Sequence, residues 1–141
     1  MSQMTHGTAV ARGGRAVLIT GAAGSGKSGL ALALMALGGK LIADDAVRLT
    51  ASGSDIVLTC PPEIKGIIEA RGIGLLSVQS IDQARLAIVV DMDKTAAQRL
   101  PAPESIVILG VEFPLICGKN SRELAAAIWC LLGDGQRLPI A

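Results

Sequence analysis

The eight residues Gly21-Ala22-Ala23-Gly24-Ser25-Gly26-Lys27-Ser28 constrain the fold of this chain more than any other stretch. They satisfy GxxxxGK[ST] at every fixed position. Before them runs Ala16 to Thr20 (AVLIT), an apolar segment of strand length. After them, Lys27 to Leu37 (KSGLALALMAL) is rich in residues that lose little side-chain freedom in a helix, and it ends at Gly38-Gly39, a helix stop signal. Leu41-Ile42-Ala43 resumes a strand that runs into Asp44-Asp45. Strand, loop, helix and strand in this order predict an α/β fold, a P-loop-containing mixed sheet with flanking helices. The glycines let the backbone curl around an anion, with consecutive N–H groups and the positive end of the helix aimed at a phosphate. In such a cradle Lys27 reaches the β- and γ-phosphates and the Ser28 hydroxyl ligates Mg²⁺, so ATP and Mg²⁺ are the expected cofactors. The loop is silent on what receives the phosphate.

The rest of the chain reads mainly as strands. Val47 to Thr50, a Ser-Gly turn and Ile56 to Thr59 form a hairpin pattern. Ile67 to Val78 (IIEARGIGLLSV) is an apolar segment interrupted by glycine, Leu86 to Val90 (LAIVV) is a buried-strand candidate, and Ile106–Leu109 and Val111–Ile116 are two short strands around Gly110. Asn120 to Leu132 reads as a closing helix, where Asn120 and Glu123 have the spacing of a capping box. The first residues, up to Arg15, read as a polar, glycine-containing start.

Composition excludes several classes. A chain of 141 residues is expected to form one domain, 1–141. Its formal charge of +1 comes without any block of like charges, and Phe113 and Trp129 are its only aromatics, so neither a phosphate-tracking surface nor a base-stacking platform is indicated and no nucleic-acid partner is expected. Although 50% of residues are hydrophobic, the longest stretch without charge, Ser28 to Gly39, falls short of the about 20 apolar residues of a membrane span. The start MSQMTHGTAVARGGR lacks the apolar core of a secretory signal. Cys60, Cys117 and Cys130 are odd in number and widely spaced, which suggests reduced core or near-core thiols in a cytoplasmic protein rather than a disulfide framework or zinc site.

A phosphoryl-transfer enzyme needs an acidic residue at the end of a strand near the loop, to hold the metal shell or take the acceptor's proton. Asp44 and Asp45 fit, one facing metal and the other an incoming hydroxyl. Asp91 and Asp93 fit equally, since LAIVVD has the form of a metal-holding strand end. Residue pattern alone leaves both pairs open. His6 is the only histidine, and Glu69 and Arg71 are charges set in an apolar segment, where burial demands a partner or a metal.

Taken in order, His6-Gly7-Thr8, AVLITGAAGSGKS, LIADDAVRL, IEARGIGLLSV and ILGVEFPLICGKN before a helix resemble the catalytic domain of HPr kinase/phosphorylase, from about residue 5 to residue 130. The resemblance implies a fold akin to phosphoenolpyruvate carboxykinase. It implies transfer of phosphate from ATP to a serine of the phosphocarrier protein HPr, reversal with inorganic phosphate, and homo-oligomers. By the same resemblance Asp45 is the base, and the acid in reverse. Asp44 and His6 support it, Ser28 and Glu69 ligate Mg²⁺, and Arg71 and Lys119 belong to the phosphate or acceptor site. Ser28 is followed by Gly29 where the family has Glu, and the family's PVRPGRN stands here as PLICGKN, which keeps Gly118, Lys119 and Asn120. Two other functions share the loop: a P-loop kinase of a small metabolite, and a nucleotide-binding regulatory module without catalysis that docks on a partner such as a sensor kinase.

Overall fold

The computed structural model describes residues 1–133. The glycine-rich loop joins strand β3 (Arg15–Thr20) to helix α1 (Lys27–Ala36), and β4 (Lys40–Ala43) follows, as the sequence predicts. Ahead of them, the polar start is not irregular: it forms β1 (Ser2–His6) and β2 (Thr8–Arg12). These two strands escaped the sequence reading for a physical reason. β1 is largely exposed on both faces, so it carries no apolar alternation, and β2 is built from small residues. Next come β5 (Ala46–Ser52) and β6 (Asp55–Thr59), the predicted hairpin, which turns at Gly53-Ser54 with Gly53 at φ 61°. The apolar segment Ile67 to Val78 is itself a hairpin, β7 (Ile67–Ala70) and β8 (Gly74–Ser77), standing apart as a second sheet. β9 (Gln83–Asp91), β10 (Glu104–Ile108), β11 (Val111–Cys117) and α2 (Leu124–Leu132) complete the chain.

Nine strands form one mixed sheet that forks at β9. One edge of β9 pairs in parallel with β3, from Arg15↔Arg85 to Thr20↔Asp91. Its other edge is shared. The start of β9 pairs antiparallel with β6 and its end pairs parallel with β11. Period-two alternation sorts the side chains to two faces. Ala9, Ala16, Leu18 and Val89 join Leu49, Ile56, Leu58 and Phe113 in a core between the curled arms of the sheet. Val10, Val17, Ile19 and Val90 face the helices and pack on Leu30, Leu34, Ile128 and Leu132. Each such aliphatic side chain removed from water contributes about 1.5–3 kcal/mol.

Both helices end on interactions written in the sequence. At the end of α1, Gly38 adopts φ 115° and its N–H bonds to Met35 C=O at 3.0 Å, while Gly39 N–H reaches Leu34 C=O at 3.0 Å. This paired closure needs a left-handed residue, which glycine supplies without strain. At the end of α2, guanidinium groups from the β2–β3 hairpin take the terminal carbonyls. Arg12 Nη1 donates to Trp129 C=O at 2.8 Å and lies 4.4 Å above the Trp129 ring, and Arg15 Nη1 donates to Leu131 C=O at 2.9 Å. Cations here also complement the negative end of the helix.

The start of α2 corrects an expectation. Asn120 and Glu123 do not form a capping box: the helix begins at Leu124, after Glu123, without a side-chain cap, and Asn120 sits at φ 61° in a turn. Local spacing suited a cap, but the tight return from β11 consumes those residues. Cys60 and Cys117 are half-buried, whereas Cys130 is exposed rather than near the core. The eight residues 134–141 of the expected 1–141 domain lie outside the described part.

Candidate active site

Two paired strands bend together to make the site. β1 runs beside β5 with His6 opposite Ala46, while β2 runs beside β4 with Ala9 opposite Ala43. Between these registers both chains change direction, one at Gly7 and the other at Asp44-Asp45, and Gly7 N–H bonds to Asp45 C=O at 3.2 Å. Gly7 is required there, because a Cβ would lie 2.8 Å from the Ile19 carbonyl oxygen. On the other chain, Ala46 N–H closes a three-residue turn onto Asp44 C=O at 2.9 Å with Asp45 at its centre, φ 73°. A non-glycine residue in this region stores strain of order 1–3 kcal/mol and is concentrated at functional sites.

The turn separates the fates of the adjacent carboxylates. Asp44 Oδ1 accepts from Thr8 Oγ1 at 2.8 Å and from Ser28 Oγ at 3.1 Å, and its Oδ2 accepts the Glu69 backbone N–H at 3.2 Å. One side chain thus ties β2, α1 and β7 together. Asp45 turns outward. Its side chain is 80% exposed, and its recorded side-chain partner is His6, whose Nδ1 stands 3.4 Å from Oδ1.

The loop itself takes its shape from Gly21, Gly24 and Gly26, at φ 146°, 82° and 101°. Lys27, only 9% exposed, donates from Nζ to the Gly21 and Ala22 carbonyls at 2.8 and 3.0 Å. A cleft of ≈ 340 Å³ opens where the loop enters α1, and Gly24, Gly26, Lys27, Ser28, Glu69 and Arg71 line it. Arg71 reaches over the loop so closely that a Cβ on Gly24 would stand 3.3 Å from its Nη1. Neither Glu69 nor Arg71 is buried, so neither charge needs a partner on that account: β7 alternates, with Ile68 and Ala70 inward and Glu69 outward, and Arg71 follows it in an exposed turn. A second cleft of ≈ 350 Å³ lies on the far side of the loop, bounded by Ala22 to Ser25, Met92, Asp93, Lys119 and Asn120.

The structure therefore brings Lys27, Ser28, Glu69 and Arg71 to one cleft, with Asp44 bonded behind it to Ser28 and to the Glu69 N–H, sets His6 and Asp45 at the bend beside Asp44, and puts Lys119 across the loop from them. Asp91 and Asp93 lie on the Lys119 side. Sequence reasoning missed Thr8, whose fully buried hydroxyl orients Asp44. Its signal was slight, a lone threonine opening a run of small residues. As for Mg²⁺, Ser28 and Glu69 line one cleft with Lys27, and a hydroxyl and a carboxylate are the hard oxygen donors this cation prefers. Among the described residues no three His, Cys, Asp or Glu side chains gather into a group that could hold a metal ion.

Comparison with known proteins points to one family. The profile described as HPr Serine kinase C-terminal domain matches residues 1–116. Similar proteins include the HPr kinase/phosphorylase of Nitrosomonas europaea, 33% identical over 86% of this chain and 44% of that protein, and the HPr kinase/phosphorylase of Bordetella pertussis, 38% identical over 86% of this chain and 46% of that one. The chain thus spans somewhat less than half the length of these relatives. Among solved structures, the Hpr(Ser) kinase/phosphatase from Coxiella burnetii superposes with a TM-score of 0.77 at 26% identity, covering 92% of this chain and 88% of that one.

Proposed function

The chain belongs to the HPr serine kinase C-terminal domain family, and from that premise we propose that it transfers the γ-phosphoryl group of ATP to a serine of HPr and reverses the modification with inorganic phosphate. The observation that carries this reading is the division of labour between Asp44 and Asp45. Asp44 has its oxygens engaged by three donors and is fixed beside Ser28, whereas Asp45, the next residue, presents an exposed carboxylate whose neighbour is His6. A proton acceptor must be reachable by the incoming hydroxyl, and a metal-side carboxylate must be held still.

In this reading the loop, in a P-loop arrangement like that of phosphoenolpyruvate carboxykinase, holds the β- and γ-phosphates with its backbone N–H groups. Lys27 exchanges its two loop carbonyls for phosphate oxygens. Ser28 and Glu69 ligate Mg²⁺, with Asp44 orienting the Ser28 hydroxyl. Bound Mg·ATP supplies the transferable phosphoryl group and screens its charge. Asp45 takes the proton of the attacking serine hydroxyl and, in the reverse direction, returns it to the departing serine oxygen as phosphate is converted to pyrophosphate. His6 steadies Asp45, and Arg71 and Lys119 bind phosphate or acceptor from either side of the loop. Because HPr is a soluble carrier, the proposed setting is the cytoplasm. No helix among the described residues is long and apolar enough to cross a membrane.

Mass spectrometry of HPr incubated with the protein and Mg·ATP, and then with phosphate, tests acceptor and reversibility together. One added phosphate per HPr, removed in the second step with release of pyrophosphate, is expected. Asp45→Asn should abolish transfer while ATP still binds, and normal transfer by that variant refutes the base assignment. ATP binding with no transfer to HPr by the unaltered protein favours the regulatory module instead.

A further inference from the structure

Asp91, Met92 and Asp93, behind the glycine-rich loop, have no role in the transfer scheme, yet they hold its first turn. Where β9 ends, Met92 N–H bonds to Thr20 C=O at 2.8 Å, so the chain stays alongside β3 as the loop departs. The next residue reaches back. Both carboxylate oxygens of Asp93 accept the Ala22 N–H, at 3.1 and 3.0 Å, and Asp93 is itself held by its own N–H donating to Asp91 Oδ1 at 2.8 Å. Met92 fills the space between. A Cβ on Gly21 would stand 3.1 Å from Met92 Cβ, one on Gly26 3.4 Å from its Cε, and one on Gly118 2.9 Å from its Sδ. From sequence alone the Asp91/Asp93 pair was a rival metal-holding strand end. The geometry gives it another task, because the Asp93 carboxylate is spent on a loop amide.

We infer that Asp93 is a positioning residue for phosphate binding: it fixes the first turn of the glycine-rich loop through the Ala22 N–H, with Met92 wedged behind the glycines and Asp91 aligning Asp93. This rests on reading the loop as the phosphate cradle. Glycine-rich segments lose the most backbone freedom on becoming ordered. A brace that orders the loop within the folded protein moves that cost from ligand binding to folding, and affinity rises accordingly. The carboxylate is suited to the work, since hydrogen bonds to an ionised acceptor are roughly twice as strong as neutral ones.

The full chain is titrated calorimetrically with Mg·ATP and with tripolyphosphate, as the unaltered protein, Asp93→Ala and Asp93→Asn. Asp93→Ala should weaken both ligands by a similar factor, about tenfold, because one charge-assisted hydrogen bond is lost at the phosphate end. Asp93→Asn keeps one neutral carbonyl oxygen for Ala22, about half the strength of the bond, and should weaken binding only about threefold. A residue that merely stabilised the fold would instead shift the urea midpoint and leave the affinity of the folded fraction alone. Equal affinity of Asp93→Ala and the unaltered protein, or an Asn variant as weak as Ala, overturns the inference. Hydrogen exchange on the unaltered protein is an independent check: the Ala22 amide should be protected, and exchange as fast as an unbonded loop amide overturns the brace. If the unaltered protein binds neither ligand, the cradle reading itself fails and takes this inference with it; if it binds both and the variants match it, only the brace is wrong.

Discussion

Asp44 and Asp45 are chemically identical neighbours, and the structure predicts that removing them changes stability in opposite directions. Asp44→Ala strands three donors of unequal consequence. Ser28 Oγ and the Glu69 N–H border an open cleft and regain water, so their loss is small. Thr8 is fully buried, and its hydroxyl loses its acceptor. A buried polar group left without a partner costs about 1–3 kcal/mol, which sets the expected loss. Asp44→Asn should cost less, because the amide can turn its oxygen to the Glu69 N–H and donate its nitrogen to the two hydroxyls, which accept as well as donate. Asp45→Gly, in contrast, removes an exposed contact with His6 worth under ~1 kcal/mol and relieves the left-handed backbone at φ 73°. After the extra chain entropy of glycine is subtracted, it should be neutral to ~1 kcal/mol stabilising. Urea denaturation followed by circular dichroism measures all three. The reasoning is refuted if Asp44→Ala is as stable as the unaltered protein, or if Thr8→Val and Asp44→Ala add without coupling in a double-mutant cycle. Loss of more than about 1 kcal/mol in Asp45→Gly refutes the strain argument separately.

Other outcomes follow from single contacts. Gly39→Ala would place its Cβ 2.8 Å from Val10 Cγ1 and 3.0 Å from the Leu34 carbonyl oxygen, so the turn after α1 must shift and the urea midpoint should fall by the equivalent of about 1–3 kcal/mol. Arg12→Ala removes both the hydrogen bond to Trp129 C=O and the stacked cation, and should lower stability by roughly 1–2 kcal/mol with a blue or red shift in Trp129 emission; an unchanged spectrum and midpoint would contradict the clamp. Cys117 donates its thiol hydrogen to Glu104 at 3.0 Å, and the carboxylate, with burial second, raises the thiol pKa. Since the thiolate is the reactive form, Glu104→Gln should move the pH profile of Cys117 alkylation to lower pH, and a profile that stays put or moves upward counts against the contact.

Legibility in the sequence followed local encoding. The segment from Ala16 to Ala43 could be read almost residue by residue, because AVLIT, the glycines and the Ala/Leu helix each carry their own signal. The predicted hairpin turns at Gly53, and the two short strands predicted around Gly110 pair as a hairpin through Leu109-Gly110, at φ 49° and 83°. What stayed hidden depends on partners distant in the chain. β1 exists because β5 offers it an edge, and no pattern within residues 2–6 announces that pairing. Glu69 and Arg71 drew notice as charges set in an apolar segment, yet they reach the cleft because they are exposed. The adjacency of Asp44 and Asp45 was visible as two letters. The turn that sends one inward to Thr8 and the other outward to His6 was not, since it depends on the bend at Gly7 on another strand.

That bend has a mechanical consequence. His6 and Asp45 ride on two strands that curve together and are hydrogen-bonded across the curve, so flexing the ribbon carries both side chains in the same direction. Their mutual separation is insulated from such motion, and the bond from Ser28 Oγ to Asp44 at 3.1 Å pins the same bend to helix α1. The fold thereby works as a hinged ribbon pinned at one point: the His6 and Asp45 side chains keep their relative geometry as the strands flex, and Asp44 is the pivot that joins them to α1.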